Sequence, residues 1–500
     1  MVAIRAGSDQ ARSPLRRAAV EIAEAGLASL DPGEAVNRLL ALDGSQLHAG
    51  GVEINLDAFN RVLVLGAGKA TLRIAEEVER LLGERVAGGL VVVRRGSGRP
   101  LRRVEVLEAD HPVPSASSAE AARRLLKLAD EAGERDLIVA LVTGGSSALV
   151  CAPPPGVSFH EKVELHRLLL SSGAAIGAIN TVRKHVSDVK GGRLAERAQP
   201  ATILNLTVSD VVGDVLDLLA DLTVQDTSAV EQAVEVLNRF ELTERVAPSI
   251  LRHLSTAAAS SPDLSRCAIE TVMLATGDQA CAAMAKRSRE LGFEPLILGS
   301  ALQGESRDAG TIVAGLAREC ARSGVPAEPP CALVACGGET TVSLGGHPGL
   351  AGLGGPNQEL ALAAAAILRP EDCVALIALD TDGSDGGTDA AGALVDGTSY
   401  IRAGELGVDL DNALRDHRAH GALAAIGDLV HTGSTLTNAN DLVVAVVGRA
   451  QRRASAAPSP IAEVLLRRRS SPQIATRRRV RTSTSSRLRR RIFEIRSRRW

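Results

Sequence analysis

Short apolar runs, separated by glycine-rich loops and by longer stretches of mixed polarity, set the pattern of this chain. The runs predict strands at Arg61–Leu65, Gly89–Val93, Leu137–Val142, Thr202–Val208, Val272–Ala275, Pro295–Leu298, Ala332–Ala335 and Val374–Leu379. The run Val374–Leu379 is apolar throughout and reads as a buried parallel-sheet strand. Helical periodicity predicts helices over 14–42, Ala70–Leu82, Ser117–Ala132, Asp278–Leu291 and Gln358–Ile367. Strands alternating with helices argue for α/β layers with mostly parallel sheet. In such sheets ligands collect where loops leave the carboxyl ends of strands.

Five hundred residues exceed what one compact core holds. An Ala-, Ser- and Pro-rich piece at Ser255–Ser265 suggests two lobes, roughly 14–254 and 266–446. Seven aromatic residues leave the core to Leu, Val, Ile and Ala. The 48 glycines show no repeating period and point to tight strand–loop–helix transitions. The net charge of −2 hides an uneven split. Residues 451–500 carry 16 Arg, no Lys and two Glu, so the first 450 hold 41 basic against 57 acidic groups. The Arg-rich tail reads as a disordered extension that offers nucleic acid only sequence-blind, non-specific attraction.

Cys151, Cys267, Cys281, Cys320, Cys331, Cys336 and Cys373 form no CxxC pair and no zinc spacing, which fits free thiols in a reducing cytoplasm. The polar stretch Met1–Pro14 lacks the apolar core of a signal peptide, and no apolar run is long enough for a membrane helix. A cytoplasmic location is the expectation.

The chemistry concentrates in loops. Ala378-Leu-Asp-Thr-Asp-Gly-Ser-Asp-Gly-Gly-Thr-Asp-Ala-Ala-Gly392 follows a strand and gathers Asp380, Asp382, Asp385 and Asp389 with little steric bulk at Gly383. Carboxylates beside exposed amides suit Mg²⁺ and phosphate. Leu65-Gly-Ala-Gly-Lys-Ala70 leaves a strand and enters a helix. Its Gly66 and Gly68 would let amides approach a phosphate, with Lys69 as a point charge. The loop has neither P-loop spacing nor a GxGxxG fingerprint. Thr143-Gly-Gly-Ser-Ser-Ala148 offers Gly144, Gly145, Ser146 and Ser147 as an anion cradle; without GxSxG it is no nucleophile elbow.

Asn180, Arg183, Lys184, Ser187 and Lys190 recur at helical spacing, predicting one cationic stripe that stops at Gly191 and Gly192. Beyond it, the strand Thr202–Val208 runs into Ser209-Asp210, a further carboxylate at a strand end. Cys336-Gly-Gly-Glu-Thr-Thr341 and Gly354-Gly-Pro-Asn-Gln-Glu359 set Glu339, Asn357 and Glu359 beside glycine-rich backbone, suited to orienting hydroxyls or a metal's waters. His431-Thr-Gly-Ser-Thr-Leu-Thr-Asn438 adds hydroxyls and amides.

Taken in order, these loops resemble the glycerate 2-kinase family, which joins an N-terminal glycerate kinase domain to a C-terminal MOFRL domain. The carriers are Gly66-Ala-Gly-Lys-Ala70, Asp110-His-Pro-Val-Pro114, Thr143-Gly-Gly-Ser-Ser-Ala148, Val182-Arg-Lys and Lys190-Gly-Gly-Arg193. They continue with Ser209-Asp-Val-Val-Gly-Asp214, Gly337-Gly-Glu-Thr-Thr341, Gly355-Pro-Asn-Gln-Glu359, Thr381-Asp-Gly-Ser-Asp-Gly386 and the loop to Asn438. The resemblance covers residues 14–446. It implies a Rossmann-like lobe facing a second α/β lobe, and transfer of phosphate from ATP, with Mg²⁺, to D-glycerate, giving 2-phosphoglycerate.

Carried over by position, Lys69 becomes the catalytic cation, and Arg183 and Lys190 clamp phosphates or the glycerate carboxylate. Asp382 and Asp385 hold Mg²⁺ or accept the hydroxyl proton. A homodimer is compatible with the resemblance.

The chain departs from the family at Leu218-Leu-Ala-Asp-Leu-Thr223, where a Gly-Pro-Thr turn is usual, and at Pro356, where Arg is frequent. Two other readings compete. A hydroxypyruvate reductase would need the dinucleotide fingerprint that is absent here. An inactivated relative acting as a binding protein would explain the lost turn.

Overall fold

The computed structural model describes residues 4–6, 13–174, 176–208, 221–256, 259–343 and 352–449. The Arg-rich tail, Ser209–Asp214 with Asp210, and residues 218–220 of the altered turn lie outside the described residues.

Six strands form one sheet in the spatial order Ile269–Ala275, Thr202–Val208, Asp136–Val142, Arg61–Ala67, Val86–Arg94 and Glu105–Ala109. Every pairing in it is parallel. Numbered along the chain, the order is 3-2-1-4-5-6, the doubly wound Rossmann arrangement, as the resemblance implied. Such a sheet reverses its winding between its first and fourth strands, here Arg61–Ala67 and Asp136–Val142. The loops after these two strands are Gly68–Ala70 and Thr143–Gly145.

The second sheet has seven strands, ordered Arg5–Ala6, Leu429–His431, Gly392–Asp396, Val374–Asp380, Asp441–Val447, Cys331–Gly338 and Glu294–Gly299. Only Cys331–Gly338 and Glu294–Gly299 run parallel. Val374–Asp380, expected as a parallel strand, is antiparallel to both neighbours. A run buried on both faces looks the same from sequence whichever way its neighbours run. The pairing matters for chemistry, because it sets Asp380, the end of one strand, in register with Asp441, the start of another.

Both sheets draw strands from either side of the piece at 255–265. Ile269–Ala275 closes an edge of the first sheet, while the N-terminal helix Pro14–Ser29 packs on the second sheet. That helix begins where Ser13 accepts the Leu15 N–H and Pro14 occupies the first turn. The predicted helix over 14–42 is broken at Asp31, whose carboxylate accepts the Gly33 and Glu34 N–H groups and starts a new helix, Pro32–Leu39. The three-stranded antiparallel sheet Leu40–Asp43, Gln46–Ala49, Val52–Asn55 follows. None of the seven cysteines, all among the described residues, forms a disulfide, and among the described residues no helix is long and apolar enough to cross a membrane.

The N-terminal helix is held by a buried charge as well as by its apolar face. Arg16, 2% exposed, donates from Nη2 to the Leu394 carbonyl at 2.8 Å and to Asp428 at 2.7 Å, and its Nη1 lies 3.2 Å from Asp396. Removing one member of a buried ion network leaves its partners uncompensated. Arg16→Met is therefore expected to lower stability by about 3 kcal/mol, read as a lower urea midpoint; an unchanged midpoint would remove the network from this anchoring role.

Candidate active site

The switch point of the first sheet is built by close approach. A Cβ on Gly66 would lie 2.2 Å from the Leu141 carbonyl oxygen, and one on Gly68 would lie 1.9 Å from Thr143 Oγ1. These two glycines let the strand ends interlock. The neighbouring amides are then consumed internally: Gly68 N–H donates to the Val92 carbonyl, Lys69 N–H to the Gly144 carbonyl at 2.9 Å, and Ala70 N–H to Thr143 Oγ1 at 3.1 Å. The expected phosphate cradle at 66–70 is thus closed, and what the loop contributes is the Lys69 side chain. The Gly144 and Gly145 amides, by contrast, make no hydrogen bond to another described residue. Gly145, at φ 89°, opens the one-turn helix Ser146–Leu149.

A cavity of about 390 Å³ lies against this switch point. Lys69, Gly144, Gly145, Ser146, Ser147, Asn180 and Arg183 line it from the first lobe; Glu339, Asp382 and Asp385 line it from the second. The structure thus brings together most of the sequence-derived set. Lys69 Nζ donates to Asp382 Oδ2 at 2.6 Å, joining the two lobes with one ion pair. The other Asp382 oxygen accepts the Ser384 N–H at 2.9 Å.

Several expected residues stand elsewhere. The cationic stripe is not one helix: Ile176–His185 ends before Ser187 and Lys190. Nor is it a solvated face, since Asn180, Arg183, Lys184, Ser187 and Lys190 are all buried. Lys190 donates to the Val150 carbonyl and does not line the cavity; burial pulls its ammonium down to about 8. Gly191 and Gly192 hold the altered turn instead of a ligand, for the Gly191 N–H donates to the Asp221 carbonyl at 2.7 Å. Asp221 remakes the turn lost with Gly-Pro-Thr: its Oδ1 accepts from the Thr223 N–H at 2.6 Å and from the Val224 N–H at 3.2 Å.

Glu359 faces away from the cavity, with His417 Nδ1 at 3.1 Å. Gly383 serves the approach of its loop to the Gly433 carbonyl, 2.0 Å from where a Cβ would be. Asn357 supports the site from behind, donating from Nδ2 to Asp385 at 3.2 Å and to Asp441 at 2.6 Å.

Asp385 differs from Asp382. Its two oxygens accept four N–H donors, from the main chain and side chains of Asn357 and Gln358, at 2.9–3.2 Å. The carboxylate therefore caps the helix Pro356–Ile367 and has no lone-pair direction left for a metal. Burial raises its carboxyl to about 6. Among the described residues no group of three or more His, Cys, Asp or Glu side chains is close enough to hold a metal by itself. Mg²⁺ is usually held by one or two carboxylates with substrate phosphates completing its shell, and Asp380 with Asp382 at this rim meets that description.

Several cavity residues lie outside the expected set, among them His111, His166 and Asp441, while Asp380 belongs to the expected acidic loop. His111 sits in the quoted Asp110-His-Pro-Val-Pro114 motif, yet nothing in that spacing assigned it a role. Burial, then Lys69 and Arg94, pull its imidazole down to about 4, so it is neutral at pH 7. His166 stands on the helix Phe159–Leu170, without a sequence signal. Its Nε2 lies 2.9 Å from the Pro112 carbonyl and 3.3 Å from Arg183 Nη2. The shorter contact assigns the ring hydrogen to Pro112, and burial with the Arg183 charge holds the ring neutral, down to about 2. Asp380 and Asp441 face each other as in-register partners at the cavity. Burial and then the neighbouring Asp382 push Asp380 well above the usual carboxylate range. Burial drives Asp441 up to about 8.

The chain is similar to known proteins over most of its length. Residues 18–255 match the family model described as a domain of unknown function, DUF4147, and residues 332–441 match the MOFRL family. A glycerate 2-kinase of Pyrococcus horikoshii is 37% identical over 440 residues, covering 87% of this chain and 97% of that protein. The crystal structure of a glycerate kinase from Thermotoga maritima superposes with a TM-score of 0.73 at 35% identity, covering 86% of this chain and 99% of that one. A protein of Agrobacterium vitis, provisionally named a hydroxypyruvate reductase, is 39% identical over 389 residues, covering 78% of this chain and 87% of that protein.

The raised carboxyls make stability depend on pH. Asp441 has its usual value, 3.8, in the unfolded chain and about 8 when folded. Between these the folded state binds more protons, so stability is highest near the acid end of this window and falls as pH rises to about 8. The urea midpoint is expected to drop from pH 5 to pH 8, and Asp441→Asn to flatten that slope; an equally steep slope in the variant would exclude Asp441 as its source.

Proposed function

The chain belongs to the glycerate 2-kinase family, and on that premise we propose that it transfers the terminal phosphoryl group of ATP to D-glycerate in the cavity between its lobes. The observation that carries this reading is the Lys69–Asp382 pair, which joins the sheet's switch point to the acidic strand ends at 2.6 Å.

Phosphoryl transfer asks for alignment and charge stabilisation more than for covalent chemistry. In the proposed step the 2-hydroxyl oxygen of glycerate forms a bond to the γ-phosphorus. The bond from that phosphorus to the β,γ-bridging oxygen breaks, and its electron pair leaves with ADP. The hydroxyl proton goes to the Asp382 carboxylate and from there to water. Lys69 holds Asp382 until an anion arrives, then turns its charge to the phosphoryl oxygens.

Arg183, whose guanidinium is buried at the cavity wall, suits the glycerate carboxylate as a bidentate partner. The Gly144 and Gly145 amides with Ser146 and Ser147 suit the nucleotide phosphates. Lys190 is reassigned from clamp to support, holding the chain at Val150 beneath that loop. Asp382 with Asp380 would hold Mg²⁺, which when bound supplies charge neutralisation for the phosphates. The reductase alternative has no supporting feature at the switch point, where Gly66-Ala-Gly-Lys69 replaces a dinucleotide fingerprint.

The test is ADP release from the full chain with Mg-ATP, with and without D-glycerate, beside NADH oxidation with hydroxypyruvate. Glycerate-dependent ADP with 2-phosphoglycerate as product is expected; NADH turnover without it would overturn the reading. Lys69→Ala is expected to lower kcat by about 10²- to 10³-fold with an unchanged circular dichroism spectrum. Arg183→Ala is expected to raise the KM for glycerate about 10- to 100-fold while the KM for ATP stays put; the reverse split would move Arg183 to the nucleotide.

A further inference from the structure

Two antiparallel helices contribute to the wall of the large cavity. Lys162, on the helix Phe159–Leu170, donates to the Val186 carbonyl, just past the helix Ile176–His185. One turn further along, His166 Nε2 lies 3.3 Å from Arg183 Nη2. The same register, carried one more turn, sets Leu170 level with Ile179 and Asn180. Ile176 lies a turn beyond that, at the start of its helix.

Each helix turns one face to the cavity. His166 and Leu170 are spaced i, i+4 on the first; Ile176, Asn180 and Arg183 are spaced i, i+4, i+7 on the second. All five line the cavity. The two faces grade alike along their length. His166 and Arg183, 4% and 7% exposed, make a polar floor. Leu170, 46% exposed, and half-buried Ile176 make an apolar lip. A lone exposed leucine asks for no explanation. Of the large apolar side chains exposed among the described residues, however, Leu170 alone lines this cavity, and a second aliphatic side chain stands near it.

The helix pair is tied to the loop that suits the nucleotide phosphates. The Pro112 carbonyl lies 2.9 Å from His166 Nε2, and His111 Cδ2 lies 3.3 Å from where a Cβ on Gly145 would stand. Two consecutive residues therefore link the wall to Gly144 and Gly145, and Pro112 lines the cavity with them.

The ligand's chemistry follows from this grading. A cavity of about 390 Å³ is in the range, roughly 300–1,000 Å³, that takes a drug-sized molecule. D-Glycerate, three carbons bearing a carboxylate and two hydroxyls, is far smaller and has no apolar face for the lip to cover. A nucleoside triphosphate is an anionic chain that ends in a flat base with two apolar faces. Its two ends match the polar and apolar parts of the site.

We propose that Leu170 and Ile176 form the subsite for the base of ATP, covering its flat face while the Gly144–Ser147 loop holds the phosphates. Contact there removes apolar area of both partners from water. The placement rests on the kinase reading above and adds to it the residues that receive the base.

The test compares KM values for ATP and for D-glycerate in the full-length wild type, Leu170→Ala, Ile176→Ala and the double variant. Each single change is expected to raise the KM for ATP about 3- to 10-fold, and the double variant to raise it further. The KM for D-glycerate is expected to stay in place. Leu170→Phe, which keeps an apolar face, stays within about 3-fold of wild type, whereas Leu170→Asp exceeds the alanine variant. An unchanged KM for ATP in the double variant overturns the base subsite. So does a rise confined to D-glycerate, which hands the lip to the acceptor, or an equal rise for both substrates. These results leave the kinase reading intact. A wild type without glycerate-dependent ADP release overturns that reading and this inference with it.

Discussion

The ion pair of Lys69 with Asp382 joins the two halves of the site. Lys69 stands where it does because two glycines let the strand ends of the first sheet interlock, which leaves its side chain as the loop's one outward group. Asp382 stands where it does because the loop after Val374–Asp380 folds back on the strand end, with the Asp382 N–H donating to Asp380 at 2.9 Å. The pair joins the switch point to the acidic strand ends at 2.6 Å.

Around that pair the electrostatics run in one direction. The second lobe contributes carboxylates whose burial favours the protonated form, Asp380 and Asp441 above all. The first lobe contributes cations, and its cavity histidines are neutral. Carboxyls crowded in this way are stabilised by any cation brought to them, and cations crowded opposite by any anion. A site so divided is matched to a ligand that carries both, a polyphosphate with a divalent ion. The arrangement agrees with the family assignment for reasons independent of sequence identity.

The buried basic segment shows a second use of charge. Lys162 donates to the Val186 carbonyl, Lys190 to that of Val150, and Arg193 to those of Lys184 and Ser260. Lys184 pairs with Asp226 at 2.6 Å. Main-chain carbonyls here satisfy cations that could not stay buried alone, and in return they hold an irregular stretch of chain in place. From sequence, such a stripe cannot be distinguished from a ligand clamp, since both need the same residues at the same spacing. Of its members, Asn180 and Arg183 reach the cavity.

What the sequence by itself determined is local and chemical. Apolar runs bounded by glycine located most of the strands, and the loops that follow them supplied Lys69, Gly144 to Ser147, Glu339 and Asp382, because chemistry at a strand end needs particular residue types within a few positions. The tertiary structure decided everything that depends on partners distant in the chain. It set Asp441 opposite Asp380 through antiparallel pairing that an all-apolar strand does not announce. It turned Asp385 from metal ligand to helix cap, because Asn357 and Gln358 arrive with four donors. It closed the amides at 68–70 and withdrew Lys190 from the cavity. It brought His166 to the cavity from a helix whose sequence carries no signal, and put His111 of the Asp110-His-Pro-Val-Pro114 motif beside it. Side-chain type is written residue by residue, whereas the free valence of a polar group depends on which neighbours fold against it, and only the packed molecule fixes those.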